Sequence, residues 1–445
     1  MAQLKLVGAA RGGARVAKRG KKDNPARQKK PLKALAIVLT VLLCLEGLYF
    51  LCIYSNIPFI VKYRTIYINT AMNTMRHQWL ATYFIPNNVI DKVRYEYGLQ
   101  VAASNGKESQ WGNAGASAEV TKPTVNEIEA EIVEEEKPDP AEQARLAREA
   151  FFEVFWEIDE ASMDAYVAEH PDVIANGWDS IHINEAGIED EGTNIESIYG
   201  EQVLGIDAAN GVLLLRVKGK GYRGVLAVGK NPAALSVETC STYGTVGQKI
   251  GVTAEEHNGV LAMNGSGFPD PGGAGKGERV AGYAMSNGVE YGSHFTQWAY
   301  KRIELREDNR FYIKDASAPT GDGTTDATEF QPAMIIDGVK YTTDYWTDTQ
   351  PRACIGQSDK YEILMLVIEG RYPLDGIVGT SVNTCSDILL KHGCMQAMNL
   401  DGGSSAMMWF DGKYVMRSSS PDNRYNGGRP APNAWVYKAT GTFEE

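Results

Sequence analysis

Ala34–Tyr54 constrains this chain more than any other stretch. It is an apolar run of about 20 residues with one acid, Glu46, and no Lys or Arg, which is the length an α-helix needs to cross the hydrocarbon of a bilayer. Charge divides at the same place. Residues 1–33 hold 11 of the 44 Lys/Arg and one of the 56 Asp/Glu, leaving 33 basic against 55 acidic residues from 34 to 445. The basic tail, set against only Lys62 and Arg64 soon after the span, directs the N-terminus to the cytoplasm and the rest of the chain outside. The run is long and no small-x-small cleavage motif follows it, so a retained signal anchor is expected in preference to a cleaved signal peptide. Glu46 fits such a span by facing a partner helix or reaching toward an end. An acidic body lacks the basic surface that nucleic-acid phosphates require, which argues against nucleic acid as a partner.

The organisation expected from the sequence is a basic cytoplasmic tail (1–33), a transmembrane signal anchor (34–54), a juxtamembrane segment (55–101), an acidic linker (102–138), a helical segment (139–180) and a β-rich body (181–440). In the juxtamembrane segment, Thr70–Phe84 reads as a helix, either on the membrane surface through Trp79, Tyr83 and Phe84 or within a core. The linker ends in Glu134-Glu135-Glu136, a composition that resists folding. Asp139-Pro140-Ala141-Glu142 has the form of a helix start. Phe151 and Phe155, with Leu146, Ala150, Val154 and Ile158, then recur at helical spacing as a docking face. In the body, Leu213–Val217, Gly224–Val228, Val260–Met263, Val280–Met285, Phe330–Tyr341 and Ile363–Ile368 read as strands, with Val246–Glu256 and Ser386–His392 as helices. The fold class expected is α+β: a β-rich mixed-sheet domain with packed helices, preceded by one transmembrane helix. Cys240, Cys354, Cys385 and Cys394 would lie outside the cell, as disulfides or as buried thiols. A helix between Cys385 and Cys394 would hold those two apart.

The most informative stretch is Asn399-Leu400-Asp401-Gly402-Gly403-Ser404-Ser405. It lies between the Ile363–Ile368 strand region and a hairpin pair, Ala406–Phe410 and Lys413–Arg417, closed by Asp411-Gly412. A carboxylate, an amide and hydroxyls are thereby gathered on a loop held by strands, with two glycines that permit positive φ or close approach. Other polar clusters also fall at strand ends, where rigid scaffolds carry functional groups. They are Asn264–Phe268, Pro351-Arg352 with Ile355-Gly356, Glu369-Gly370-Arg371, and Arg429–Asn433. Common alternatives fail. Gly272–Lys276 lacks the first glycine and the Ser/Thr of a phosphate-binding P-loop, no G-x-S-x-G is present, and Asp322–Glu329 lacks the ligand spacing of an EF-hand.

On these residues the chain resembles the phosphodiester glycosidase family over about residues 200–438. The carry-over is at Asn264, Gly265, Phe268, Arg352, Gly370, Arg371, Asn399, Asp401, Gly402, Gly403, Ser404 and Ser405. Departures stand at Glu369, where the family usually has Asp, and at Cys354 and Ala406, where it often has Thr. The resemblance implies a hydrolase acting on a sugar-1-phosphodiester, and bacterial members are commonly secreted or anchored and associated with envelope polysaccharides; the anchor, linker and tail look like a Gram-positive member of this kind. The chemistry of the residues agrees. A sugar phosphodiester already has a good leaving group at the anomeric carbon, so it needs charge stabilisation and an activated water or nucleophile more than a proton. Arginine forks bind phosphate oxygens in pairs. Asp401 is expected as general base or nucleophile, Glu369 as its acid partner, and Arg371 as the main phosphate ligand. Asn264, Gly265, Arg352, Asn399, Gly402, Gly403, Ser404, Ser405 and Arg429 are expected at the substrate. No cofactor is expected and no ligand set specifies a metal, though Asp401 and Glu369 are a pair able to share a divalent cation. The alternative function is a non-catalytic receptor for phosphate-containing envelope polysaccharide. A third is a structural envelope protein that uses residues 70–174 for partners.

Overall fold

The computed structural model describes residues 25–74, 77–111, 139–296, 300–342 and 348–439, with the backbone alone for 25–32. Most of the expected basic tail and most of the acidic linker therefore lie outside the described residues. The chain divides into two units, Met1–Val61 and Lys62–Glu445. The first holds the helix Pro25–Tyr54. Its segment Lys33–Tyr54, 22 residues, is long and apolar enough to cross a membrane.

The second unit is built on a nine-stranded sheet. In spatial order its strands are His182–Asn184, Gln202–Asp207, Val212–Gly219, Tyr222–Gly229, Ile363–Ile368, Arg352–Ser358, Cys394–Asn399, Ala333–Ile336 and Val339–Lys340. The strand Ile363–Ile368 is apolar at every position because both of its faces are covered. Ile363, Met365 and Val367 join one core with Leu214, Ala227 and Ile355. Leu364, Leu366 and Ile368 join another with Leu213, Leu215 and Leu226. On the first face lie two five-stranded sheets, which contribute Met263, Met408 and Trp435 from one and Ile303 and Phe311 from the other. On the second lie helices, which contribute Phe151, Phe155 and Met163, and Val382, Cys385 and Leu389. Of the stripe expected after Pro140, Phe151, Phe155 and Ile158 pack into this core, while Leu146 and Val154 are exposed. The class is α+β as expected, with every described ladder antiparallel rather than parallel and antiparallel mixed.

Local chemistry sets several boundaries. Asp411 (φ 39°) and Gly412 (φ 81°) are both left-handed, as a two-residue hairpin turn requires, and Phe410 pairs with Lys413 across it. The helix expected over Thr70–Phe84 is broken: one helix ends at Met72 and a short turn covers Trp79–Thr82. The Thr74 hydroxyl donates to Ala71 O (2.8 Å) and accepts from His77 N (3.1 Å), so it competes with the helix for its own backbone. The helix expected from Val246 begins instead at Ile250, because Gln248 exchanges backbone hydrogen bonds with Ala431. Asp139 occupies the position before the helix Pro140–Val154 without a side-chain cap. Cys240, Cys354, Cys385 and Cys394 are buried free thiols.

Candidate active site

Asp401 sits where the chain passes from the nine-stranded sheet into a five-stranded one, between the strands Cys394–Asn399 and Met408–Phe410. The crossing is fixed by main-chain bonds from Leu400 N to Ala353 O (2.8 Å) and from Gly403 N to Pro351 O (3.0 Å). The Asn264 amide clamps the loop's two ends: its Nδ2 donates to Asp401 O (2.7 Å) and its Oδ1 accepts from Met407 N (3.0 Å). Each glycine has its own reason. A Cβ at Gly402 would lie 2.6 Å from Pro351 O, while Gly403 has φ +59° and its Cβ would lie 3.1 Å from Arg371 Nη2. The Arg371 guanidinium therefore rests directly against the loop that carries Asp401.

Arg371 follows the strand Ile363–Ile368 and itself adopts φ 68°, a conformation disfavoured for residues with a Cβ. Its Nη2 donates to Gln350 Oε1 (2.8 Å), and no described carboxylate forms an ion pair with it. Burial, then the neighbouring Arg352, hold its pKa below the usual arginine range, with Asp401 opposing them. Burial pushes the Asp401 carboxyl up to about 6, against a hydrogen bond from Ser405 and the attraction of Arg429 and Arg371. That value places its ionisation close to neutrality, where a general base works best.

Both residues line a cleft of about 1250 Å³ with Asn399, Gly402, Gly403, Ser404, Ser405, Arg352 and Arg429. The other expected ligands divide by what they already hold. Arg352 is buried and donates to Asp348 Oδ2 (2.7 Å), Asp348 O (2.7 Å) and Thr380 O (3.2 Å). Arg429 grips Asp270 through two bonds of 2.7 Å and lies over the Phe268 ring. Asn399 Nδ2 donates to Gln331 O (2.7 Å). Asn264 and Gly265 stand behind the wall, and Asn264 holds the loop rather than facing the cleft.

Glu369 does not meet Asp401. It lines a separate cavity, where its Oε1 accepts from Arg417 N (2.7 Å) and its Oε2 from Arg223 Nε (2.7 Å) and Arg417 Nη2 (3.3 Å). The left-handed turn at Arg371 breaks strand alternation, so residues two apart end in different cavities. The expected Asp401–Glu369 acid/base pair, and the cation the two could have shared, are both corrected by this separation.

Several cleft residues carry no sequence signal. Gln350 orients Arg371. Arg94, which donates to Asn73 Oδ1 (2.7 Å) and lies over the Tyr97 ring, reaches the cleft from the helix Asn87–Val101. Arg424 lies over Tyr372. Arg94, Arg371 and Arg424 thus face the cleft with no ion-pair partner among the described residues. Phe268, Phe295, Tyr300 and Phe330 form an aromatic side, with Phe295 and Tyr300 stacked at 3.8 Å. An unpaired carboxylate, unpaired guanidiniums and aromatic faces suit an anionic sugar derivative.

Comparisons with known proteins give distant likenesses. The SPbeta prophage-derived uncharacterized protein YomE of Bacillus subtilis (strain 168) is 25% identical over 191 residues, 40% of this chain and 28% of that protein. The chain thus spans under a third of that relative. Among solved structures, the zebrafish N-acetylglucosamine-1-phosphodiester alpha-N-acetylglucosaminidase catalytic domain, auto-inhibited by its pro-peptide, aligns with TM-score 0.41 and 15% identity over 51% of this chain and 82% of that one. A hypothetical protein from Synechocystis aligns with TM-score 0.35 and 14% identity over 54% of this chain and 65% of that one. Residues 257–438, a shorter stretch than the sequence motifs suggested but one that holds Arg352, Arg371, Asp401 and Arg429, match the family model for phosphodiester glycosidase.

Proposed function

We propose that this protein is a membrane-anchored, extracytoplasmic glycosidase that hydrolyses a sugar-1-phosphodiester linkage in an envelope or extracellular glycan. The observation that carries the reading is the juxtaposition in one cleft of Asp401, with its pKa raised to about 6, and the carboxylate-free guanidinium of Arg371 seated on Gly403. Arg371 binds the phosphate oxygens as a planar fork. The bond between the anomeric carbon and the phosphate oxygen breaks with its electron pair leaving on the phosphate, whose charge the guanidinium stabilises. A water oxygen bonds to the anomeric carbon, and its proton passes to the Asp401 carboxylate. Direct attack by Asp401 is the alternative: its oxygen would bond to the anomeric carbon with no water between them, giving a covalent glycosyl ester that water then hydrolyses to free sugar and the restored carboxylate. The phosphate leaves without needing a proton, so Asp401 needs no acid partner and Glu369 has no step in the reaction. The aromatic side of Phe268 and Tyr300 takes the sugar face.

Anchoring is supported by the 22-residue apolar helix Lys33–Tyr54 and the basic residues that precede it. Orientation follows from that charge asymmetry, with the N-terminus cytoplasmic and the cleft outside. The test is incubation of the full chain in detergent with a soluble glycosyl-1-phosphodiester while free sugar is measured. Release of sugar and a phosphate monoester supports the assignment, whereas binding without turnover over hours moves it to the receptor reading.

A further inference from the structure

The cavity that holds Glu369 is separate from the Asp401 cleft and measures about 350 Å³, within the range of small-ligand sites. Three guanidiniums line it, from Arg216, Arg223 and Arg417. Register explains the convergence. Arg216 and Val367 both pair with Val225, so Arg216, Arg223 and Glu369, the last two each two residues along their strands, share one face of the sheet. Glu369 is covered by the hydrogen bonds given above, yet it uses few of the arginine donors. Arg223 spends only Nε on it. Arg216 donates through Nη2 to the carbonyls of Asp190 (3.1 Å) and Glu191 (3.2 Å) and makes no ion pair with a described carboxylate. Arg417 spends Nη1 on Asp375 Oδ2 (2.8 Å) and Nη2 on Glu369, while its Nε is buried with no acceptor. On the rim, Asp190 is neutralised by Lys413 at 2.9 Å, while Glu189 and Glu191 are exposed to solvent. Burial and the adjacent Arg223 hold Arg216 below the usual arginine range, with Glu369 opposing them.

One layer of chain separates the two cavities. Glu369 faces one and Arg371 the other; Arg417 faces one and Ser419 the other; Tyr425 faces one and Arg424 the other. The Arg417 guanidinium lies 4.1 Å from the centre of the Tyr372 ring, which lines the cleft. We propose that the Arg216–Arg223–Arg417 cavity is an oxyanion subsite that takes a second phosphate of a polyanionic glycan, a short distance along the chain from the linkage opened at Asp401. The polymer part rests on the proposed glycosidase activity; the anion site itself does not.

The experiment uses the full chain in detergent, with inorganic phosphate as the probe. Calorimetric titration should give two phosphates per wild-type chain and one for Arg216→Gln. Arg371→Gln should also bind one, and the Arg216→Gln, Arg371→Gln double variant none. Arg216 holds no carboxylate, so its replacement leaves no buried acid unpaired, and an unchanged melting temperature checks the fold. Should that variant not fold, phenylglyoxal labelling of the wild type replaces it: phosphate should protect Arg216 and Arg223 from modification. Undiminished phosphate stoichiometry in Arg216→Gln, or labelling of those arginines indifferent to phosphate, overturns the subsite. Kinetically, Arg216→Gln should raise KM about tenfold or more for a polymer bearing repeated phosphates, equivalent to about 1.4 kcal/mol, and leave a single-phosphodiester glycoside unchanged. Equal KM effects on both substrates overturn the polymer assignment. If neither substrate is turned over, the glycosidase reading fails, and phosphate stoichiometry still decides the subsite.

Discussion

Replacing Asp401 by Asn should abolish turnover and at the same time make the protein more stable. The unfolded chain holds this carboxyl at its ordinary value of 3.8, whereas burial in the cleft pushes it up to about 6. The sign follows: the folded state binds the proton more tightly, so the side chain costs nothing below pH 4. Its ionisation cost grows as pH rises from 4 to 6 and is constant above that. Each tenfold change in proton affinity is worth about 1.4 kcal/mol, so the cost approaches about 3 kcal/mol at pH 8. A carboxamide of the same shape escapes it and still accepts the Ser405 hydrogen bond. Solvent in the open cleft screens part of the effect, so the expected gain is roughly 1–3 kcal/mol at pH 8, shrinking toward zero at pH 4. Urea unfolding followed by tryptophan fluorescence at both pH values measures it. A less stable Asp401→Asn at pH 8, or an equal gain at both pH values, would refute the claim that an uncomfortable charge is stored at this position.

The other predictions address different parts of the site. With Asp401 as base, kcat/KM should fall about tenfold per pH unit below about 6; an acidic limb centred near 4 would point to an ordinary exposed carboxylate. Gly403→Ala puts a methyl 3.1 Å from Arg371 Nη2 at φ +59°, so stability should drop by about 1–2 kcal/mol and substrate affinity should fall with it; an unchanged KM would separate the guanidinium from the substrate. Glu369→Ala strips the buried carboxylate from Arg223 and Arg417, which should cost on the order of 3 kcal/mol of stability. It should leave the midpoint of the acidic limb where it was, and a displaced midpoint would restore Glu369 to the catalytic chemistry.

What the sequence made legible was local. Ile363–Ile368 reads as a buried strand because two cores claim its alternate residues, and Asp411-Gly412 reads as a hairpin because both residues tolerate left-handed backbone. Asp401 was recognisable because its loop needs both glycines. The ligands were harder, because pairing partners lie far apart in the chain. Arg429 is bound by Asp270, 159 residues away, and Asn264 reaches Asp401 across 137. Neither contact has a local signature, so side chains that serve the scaffold looked like substrate ligands. Nothing in Glu-Gly-Arg announces that the arginine itself turns left-handed, which sends Glu369 and Arg371 into different cavities. Gln350 and Arg94 went unnoticed because a neutral amide and a helix-borne arginine resemble any surface residue until the fold brings them to the cleft. The antiparallel pairing throughout depends on how distant strands meet, which hydrophobic patterning alone does not specify.

The most direct test of the central claim is a single time course: purified full-length protein at pH 7.5 with a soluble glycosyl-1-phosphodiester, free sugar measured for the wild type and for Asp401→Asn after both are verified as folded. The account predicts steady release by the wild type and none above background by the variant. Equal release by the two would contradict it, and so would no release by either.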